Sequence, residues 1–162
     1  MKYIKNNLNY ADFDGGRSEM GFESYNFSIR IEDTVKLSQI RDIFLSEGYV
    51  ILDSNCFEKH LKSGFIEVLI TDGIISLRTA KTNDRKVIFE IFNTLKELNA
   101  AHQISIFDLQ TKQEILLENI DPVLDSFCLL RDNFIQLFPD INYPIRCDEV
   151  FSADFRKRIE TI

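Results

Sequence analysis

Two β-rich runs joined by Asp72-Gly73 constrain the fold of this chain more than any other feature. The runs cover residues 65–71 and 74–79 and are rich in isoleucine, leucine and valine, which favour strands. Asp-Gly supplies the positive φ angles that a two-residue hairpin turn needs. The pattern therefore predicts an antiparallel β-hairpin, and with it a sheet that is at least partly antiparallel.

Helices and further strands alternate around this hairpin. Apolar and polar residues alternate over residues 25–31, which predicts a strand with one buried face. Apolar residues at helical spacing follow, in a helix that Asp33 or Thr34 caps and Gly48 ends. Further strands are predicted at 49–52, 103–109 and 114–117. A second helix begins at Asn83 or Asp84, and its apolar face consists of Val87, Ile88, Ile91, Phe92, Leu95 and Leu98. A long third helix runs from Asp121-Pro122 to Phe138.

This order of elements predicts an α+β fold. We expect an antiparallel or mixed sheet with helices on one face, built on a ferredoxin-like βαββαβ core and followed by the long C-terminal helix. The 162 residues suit a single domain. Within residues 1–162 we distinguish an irregular leader at 1–24, the α+β core with its long helix at 25–138, and a tail at 139–162 with one short helix after Ser152.

Charge and cysteine content limit the partners and the compartment. The formal charge of −7 opposes binding to a polyanion, so we expect no nucleic-acid partner. No apolar run approaches the roughly 20 residues that cross a bilayer, and the amino terminus lacks the apolar core of a secretion signal. Cys56, Cys128 and Cys147 are odd in number and widely spaced, as in proteins with reduced thiols. We therefore expect a cytoplasmic protein with no membrane partner.

The sequence carries no motif for a common catalytic or metal site. Cys56 and His60 are four residues apart, so on a helix they would share a face, but a closed zinc site needs four ligands and a catalytic pair needs an orienting group. Residues 12–19 resemble part of a calcium loop without its remaining ligands. Glycine-rich phosphate loops, the serine nucleophile elbow and the zinc-peptidase motif are absent. We expect no metal, no cofactor and no catalytic residue, and hence a protein that is not an enzyme.

The negative charge is concentrated in one region. Residues 108–154 contain ten acidic and three basic residues, a net charge of −7 that equals the charge of the whole chain, so the remainder is balanced. On the long helix, Asp121, Asp125 and Asp132 fall within about 40° of one another at 100° per residue. Leu129 and Ile135 flank them on either side. The opposite side of the helix carries Phe127, Leu130, Phe134 and Phe138.

These five residues, Asp121, Asp125, Leu129, Asp132 and Ile135, form what we call the acidic face. Carboxylates steer a basic partner and set its register, and apolar neighbours add affinity. The acidic face therefore predicts a protein-binding surface for a basic partner. A solvated helix face would show the same pattern without any partner.

In size, in the charge of residues 108–154 and in the α+β pattern of residues 25–138, the chain resembles the small acidic immunity proteins that neutralise bacterial toxins. The resemblance implies a non-enzymatic binding protein that forms a tight complex with a cognate toxin and occludes its active site. If the toxin is a nuclease, the carboxylates would take the place of the substrate phosphates.

Two other functions fit the sequence. The first is a small-molecule-binding regulatory domain or an enzyme with a pocket between the sheet and the long helix, for which Tyr25, Arg30, Arg78 and His102 are candidate polar groups. The second is an adaptor or chaperone for a secreted effector, which shares the acidic character but binds an unfolded or helical segment.

Overall fold

A seven-stranded sheet and three α-helices form the part of the chain that the computed structural model describes, residues 23–32, 34–139, 141 and 146–150. A short 3-10 helix, Cys147–Glu149, follows the last α-helix. In chain order the elements are β1 (Ser24–Ile31), α1 (Leu37–Ser46), β2 (Val50–Ile51), β3 (Cys56–Leu61), β4 (Gly64–Thr71), β5 (Ile74–Ala80), α2 (Lys86–Ala101), β6 (Ile104–Asp108), β7 (Gln113–Glu114) and α3 (Asp121–Leu137).

The strands lie in the order β2-β3-β4-β5-β1-β6-β7, and every neighbouring pair is antiparallel. The α+β prediction is therefore confirmed, with an antiparallel rather than a mixed sheet. Strands β4, β5, β1 and β6, joined through α1 and α2, form the predicted βαββαβ core. Strands β2 and β3 extend one edge of this core, and β7 extends the other.

The predicted hairpin is present as β4 and β5. Asp72 and Gly73 have φ angles of 50° and 78°, the positive values that their turn requires. Because the register pairs Ile70 with Ile75 and Val68 with Leu77, apolar side chains from both strands share one face. The turn therefore fixes which face of the sheet is apolar.

Helices α1, α2 and α3 cover that apolar face. Tyr25, Phe27 and Ile29 of β1 are fully buried there, as the alternation in the sequence predicts. Phe89 of α2 is 45% exposed, because at 100° per residue it lies outside the arc that the buried residues of this helix occupy. The six predicted core residues of α2 are all buried, namely Val87, Ile88, Ile91, Phe92, Leu95 and Leu98.

The predicted boundaries fail at the helix caps and at one strand. The strand predicted at 114–117 covers only Gln113–Glu114, and α2 begins after Arg85 rather than after Asn83 or Asp84. Helix α1 begins after Lys36 rather than Thr34, because the Lys36 N–H donates to the Gln39 side chain at 3.1 Å. Asp33 lies outside the described residues. Helix α3 includes Asp121 as its first residue, with Ile120 at the cap position. Each helix starts within four residues of its predicted cap, so the core-facing positions are unchanged.

The sequence patterns predict no strand over residues 56–64, where the structure has β3. Cys56 and His60 lie on this strand, where four residues span about 13 Å, so the pair is too far apart to hold one metal ion or to act as nucleophile and base. The leader before Glu23 and the tail after Val150 lie outside the described residues. Within the described part, no helix has the length and apolar content needed to cross a bilayer.

Candidate functional site

Helix α3 separates a buried side from an acidic side. Phe127 and Phe134 are buried on the inner side, and the Phe127 ring contacts the Tyr25 ring edge-on, with centroids 5.6 Å apart. Asp121, Asp125 and Asp132 are all exposed on the outer side. Packing against the sheet therefore holds the three carboxylates in a fixed arrangement toward solvent.

The apolar residues beside these carboxylates differ in exposure. Leu129 is 63% exposed, whereas Ile135 is half-buried and offers less surface to a partner. Leu137, near the end of α3, is 73% exposed and was not among the predicted site residues. It falls about 80° beyond Leu129 on the helix, so the exposed apolar surface lies on the Leu129 side of the acidic face.

Within the described part of the chain, Asp132 is the one carboxylate of the acidic face that has a cationic side chain nearby. Asp121 and Asp125 form no ion pair with another described residue. Arg131 approaches Asp132 at 3.9 Å, but its Nε donates to the Asn83 carbonyl at 2.8 Å. The Arg131 guanidinium is thus tied to the loop before α2, and the carboxylates remain available to an external cation.

A second polar cluster crosses the outer face of the sheet, which the helices do not cover. The register aligns Glu58, Glu67, Arg78 and Asn26 on the adjacent strands β3, β4, β5 and β1. All four residues are at most 8% exposed. Arg78 Nη2 lies 3.4 Å from Glu67 Oε1. Two carboxylates directly opposite each other would be destabilising without such cations.

The chain near its carboxyl end supplies the second cation of this cluster. Arg146 donates to both carboxylate oxygens of Glu58, at 2.6 and 2.7 Å, and lies 4.4 Å from the centre of the Phe65 ring. The Glu58 carboxylate raises the pKa of Arg146 further above its ordinary value. The Cys147 N–H donates to Glu67 Oε2 at 3.1 Å. The cluster therefore anchors residues 146–150 on the outer face.

The structure does not support thiol chemistry at Cys147, the buried cysteine of this cluster. Burial, reinforced by the Glu67 carboxylate, raises the pKa of the Cys147 thiol well above its ordinary value, so the reactive thiolate is disfavoured. None of Cys56, Cys128 and Cys147 forms a disulfide bond. Among the described residues, no group of three or more His, Cys, Asp and Glu side chains is arranged to hold a metal ion.

The four residues suggested for a small-molecule pocket do not converge. The Tyr25 hydroxyl, on the helix-facing side, donates to the buried Asp108 carboxylate, and burial raises the pKa of Tyr25 far above its ordinary value. Arg78 belongs to the buried cluster, and His102 follows the end of α2. The rings of Tyr25 and Phe127 pack against each other between the sheet and α3. A groove of about 610 Å³ lies instead on the outer face and includes Arg30.

Comparison with known proteins gives no match for this chain. No protein-family model, no curated protein and no solved structure matches it. Function therefore has to be inferred from burial, distances and charge.

Proposed function

We propose that this protein is an immunity protein, which binds a cognate bacterial toxin and occludes its active site through the acidic face of α3. The observation that carries the proposal is the exposure of Asp121, Asp125 and Asp132 in one line on a helix whose other side is buried. A binding surface on a rigid element loses little conformational entropy when the complex forms.

The partner that this surface fits is basic. Two of its three carboxylates have no ion pair within the described part of the chain, so lysine or arginine side chains of a toxin would supply the missing charge. Leu129 and Leu137 add exposed apolar surface beside the carboxylates. Charge governs the rate and orientation of association, whereas apolar contacts slow dissociation.

Occlusion requires no chemistry from the protein. An acidic helix that enters a cationic active site blocks the substrate by occupying its place, and in a nuclease the carboxylates would occupy the phosphate positions. Both partners would meet in the cytoplasm of the cell that makes the toxin, where Cys56, Cys128 and Cys147 remain reduced.

Co-expression with the toxin that the proposal expects the adjacent gene to encode tests this function. The wild-type protein is expected to restore growth, because the complex removes free toxin. The triple variant Asp121→Lys, Asp125→Lys, Asp132→Lys is expected to lose protection, since it presents cations to a cationic surface. Growth and the amount of each protein are measured together.

A matched triple variant separates the acidic face from total charge. Asp42, Glu97 and Glu114 are exposed acids on α1, α2 and β7, and their replacement by lysine changes the net charge by the same amount. This control is expected to protect as well as the wild type. Equal protection by both triple variants, at equal protein levels, would refute the role of the acidic face.

A further inference from the structure

The groove on the outer face of the sheet lies over β1, β6 and β7. Its volume of about 610 Å³ lies within the usual range for small-molecule sites. The register places Arg30 opposite Ser105, and Phe107 between Ser28 on one side and Glu114 on the other. The groove is therefore assembled from β1 and from the consecutive strands β6 and β7, which lie more than 70 residues after β1.

The middle of the groove presents an open aromatic ring. Phe107 points away from the core and is 44% exposed. Its neighbour across the sheet is Ser28, which is too small to cover the ring face. An exposed ring beside a small residue offers a planar molecule a stacking surface.

Charges of both signs line the groove. Arg30 and Lys112 are cationic, and Glu32 and Glu114 are anionic. The Ser105 hydroxyl donates to Glu32 at 2.8 Å and holds that carboxylate in place. Arg30 is exposed and has no carboxylate partner among the described residues. Asp108 also borders the groove, but its carboxylate accepts hydrogen bonds from Tyr25 and Gln110.

We propose that this groove binds a small aromatic zwitterion, a planar molecule that carries both an anionic group and an amine. The ring stacks on Phe107, the anionic group pairs with Arg30, and the ammonium group pairs with Glu32. A purely anionic ligand would meet Glu32 and Glu114, and a purely cationic one would meet Arg30 and Lys112. The groove lies on the face of the sheet opposite α3, so ligand binding there is independent of the acidic face.

L-Tryptophan is a suitable probe, because the chain contains no tryptophan and the fluorescence of the ligand can be followed directly. Titration of the isotope-labelled full chain with L-tryptophan is expected to shift the backbone amide resonances of residues 28–32 and 105–107. Tryptamine lacks the carboxylate and indolepropionate lacks the amine. Each is expected to bind about tenfold more weakly, because one ionic contact is lost.

The L-tryptophan affinities of groove variants and of matched control variants show which side chains contact the ligand. Arg30→Gln is expected to weaken L-tryptophan binding about tenfold, and Phe107→Ser about fivefold. Phe89→Ser and Arg85→Gln remove an equally exposed ring and an exposed arginine on or beside α2, and both are expected to leave the affinity unchanged.

Three results would overturn the proposal. The first is the absence of amide shifts in the groove at millimolar L-tryptophan, which is measured on the wild type and so does not depend on the folding of a variant. The second is equal affinity for L-tryptophan, tryptamine and indolepropionate. The third is unchanged affinity in both Arg30→Gln and Phe107→Ser. None of these results bears on toxin neutralisation.

Discussion

Individual polar residues gain their roles from partners far away in the sequence. Glu58 on β3 is buried because Arg146, 88 positions away, neutralises it. An unpaired carboxylate at this depth would be strongly destabilising. No local pattern around Glu58 indicates its partner, so sequence reasoning could not identify the buried cluster on the outer face. The carboxylates of α3 are exposed to solvent and therefore need no neutralising cation within the protein. Helical periodicity alone located them.

Two buried tyrosine hydroxyls allow the stability contributions of individual buried hydrogen bonds to be compared. Tyr25→Phe leaves a buried oxygen of the Asp108 carboxylate without its donor, which is expected to cost about 1.5–3 kcal/mol of unfolding free energy. Tyr49→Phe removes a bond to the Thr94 hydroxyl, which keeps a hydrogen bond to the Glu90 carbonyl, so the expected cost is about 0.5–1 kcal/mol. Urea unfolding of both variants measures the difference, and a larger cost for Tyr49→Phe would contradict this account.

At the scale of elements, sequence patterns located those whose core-facing positions are mostly apolar. The β4–β5 hairpin and α2 are examples, and both are confirmed. Strand β3 was missed because its helix-facing positions include Lys59, whose ammonium group lies 3.4 Å from the Glu90 carboxylate of α2. Its outer positions are stabilised by Arg146 and by the Phe65 ring, which stacks on His60 with centroids 4.2 Å apart. Tertiary contacts therefore determine the structure of β3.

Gly64, where the turn between β3 and β4 ends, is expected to be required for stability. Gly64 has a φ of +146°, and a Cβ atom there would lie 2.2 Å from Cγ of the buried Asn83. Asn83 is held by the Thr79 hydroxyl at 2.9 Å, so it cannot move without losing that bond. Gly64→Ala is expected to cost about 3 kcal/mol.

Gly73→Ala is the matched control for that variant. Its φ is +78° with no atom within 4 Å of the added Cβ, so only backbone strain of about 1 kcal/mol is expected. Thermal unfolding of both variants compares them. Equal destabilisation would show that Gly64 is required for its φ angle alone and not for the close contact with Asn83.

The whole molecule uses the two faces of its sheet differently. One face carries the helices and, through α3, presents the acidic face. The other holds the buried cluster, residues 146–150 and a groove lined by charges of both signs. Helical periodicity in α3 predicts the first of these surfaces, the acidic face. The second depends on strand register, which brings β1 and β6 together across more than 70 residues of chain, and no pattern within either strand indicates it.

The association rate with the proposed toxin partner tests the central claim most directly. Stopped-flow rate constants are measured at low and high ionic strength for the wild type, for the lysine variant of Asp121, Asp125 and Asp132, and for the control variant of Asp42, Glu97 and Glu114. The wild type and the control are expected to associate rapidly at low salt and to slow by about tenfold or more at high salt, because the Debye length shortens. The α3 variant is expected to associate slowly at both salt concentrations, and an unchanged rate for it would contradict the assignment of the acidic face as the binding surface.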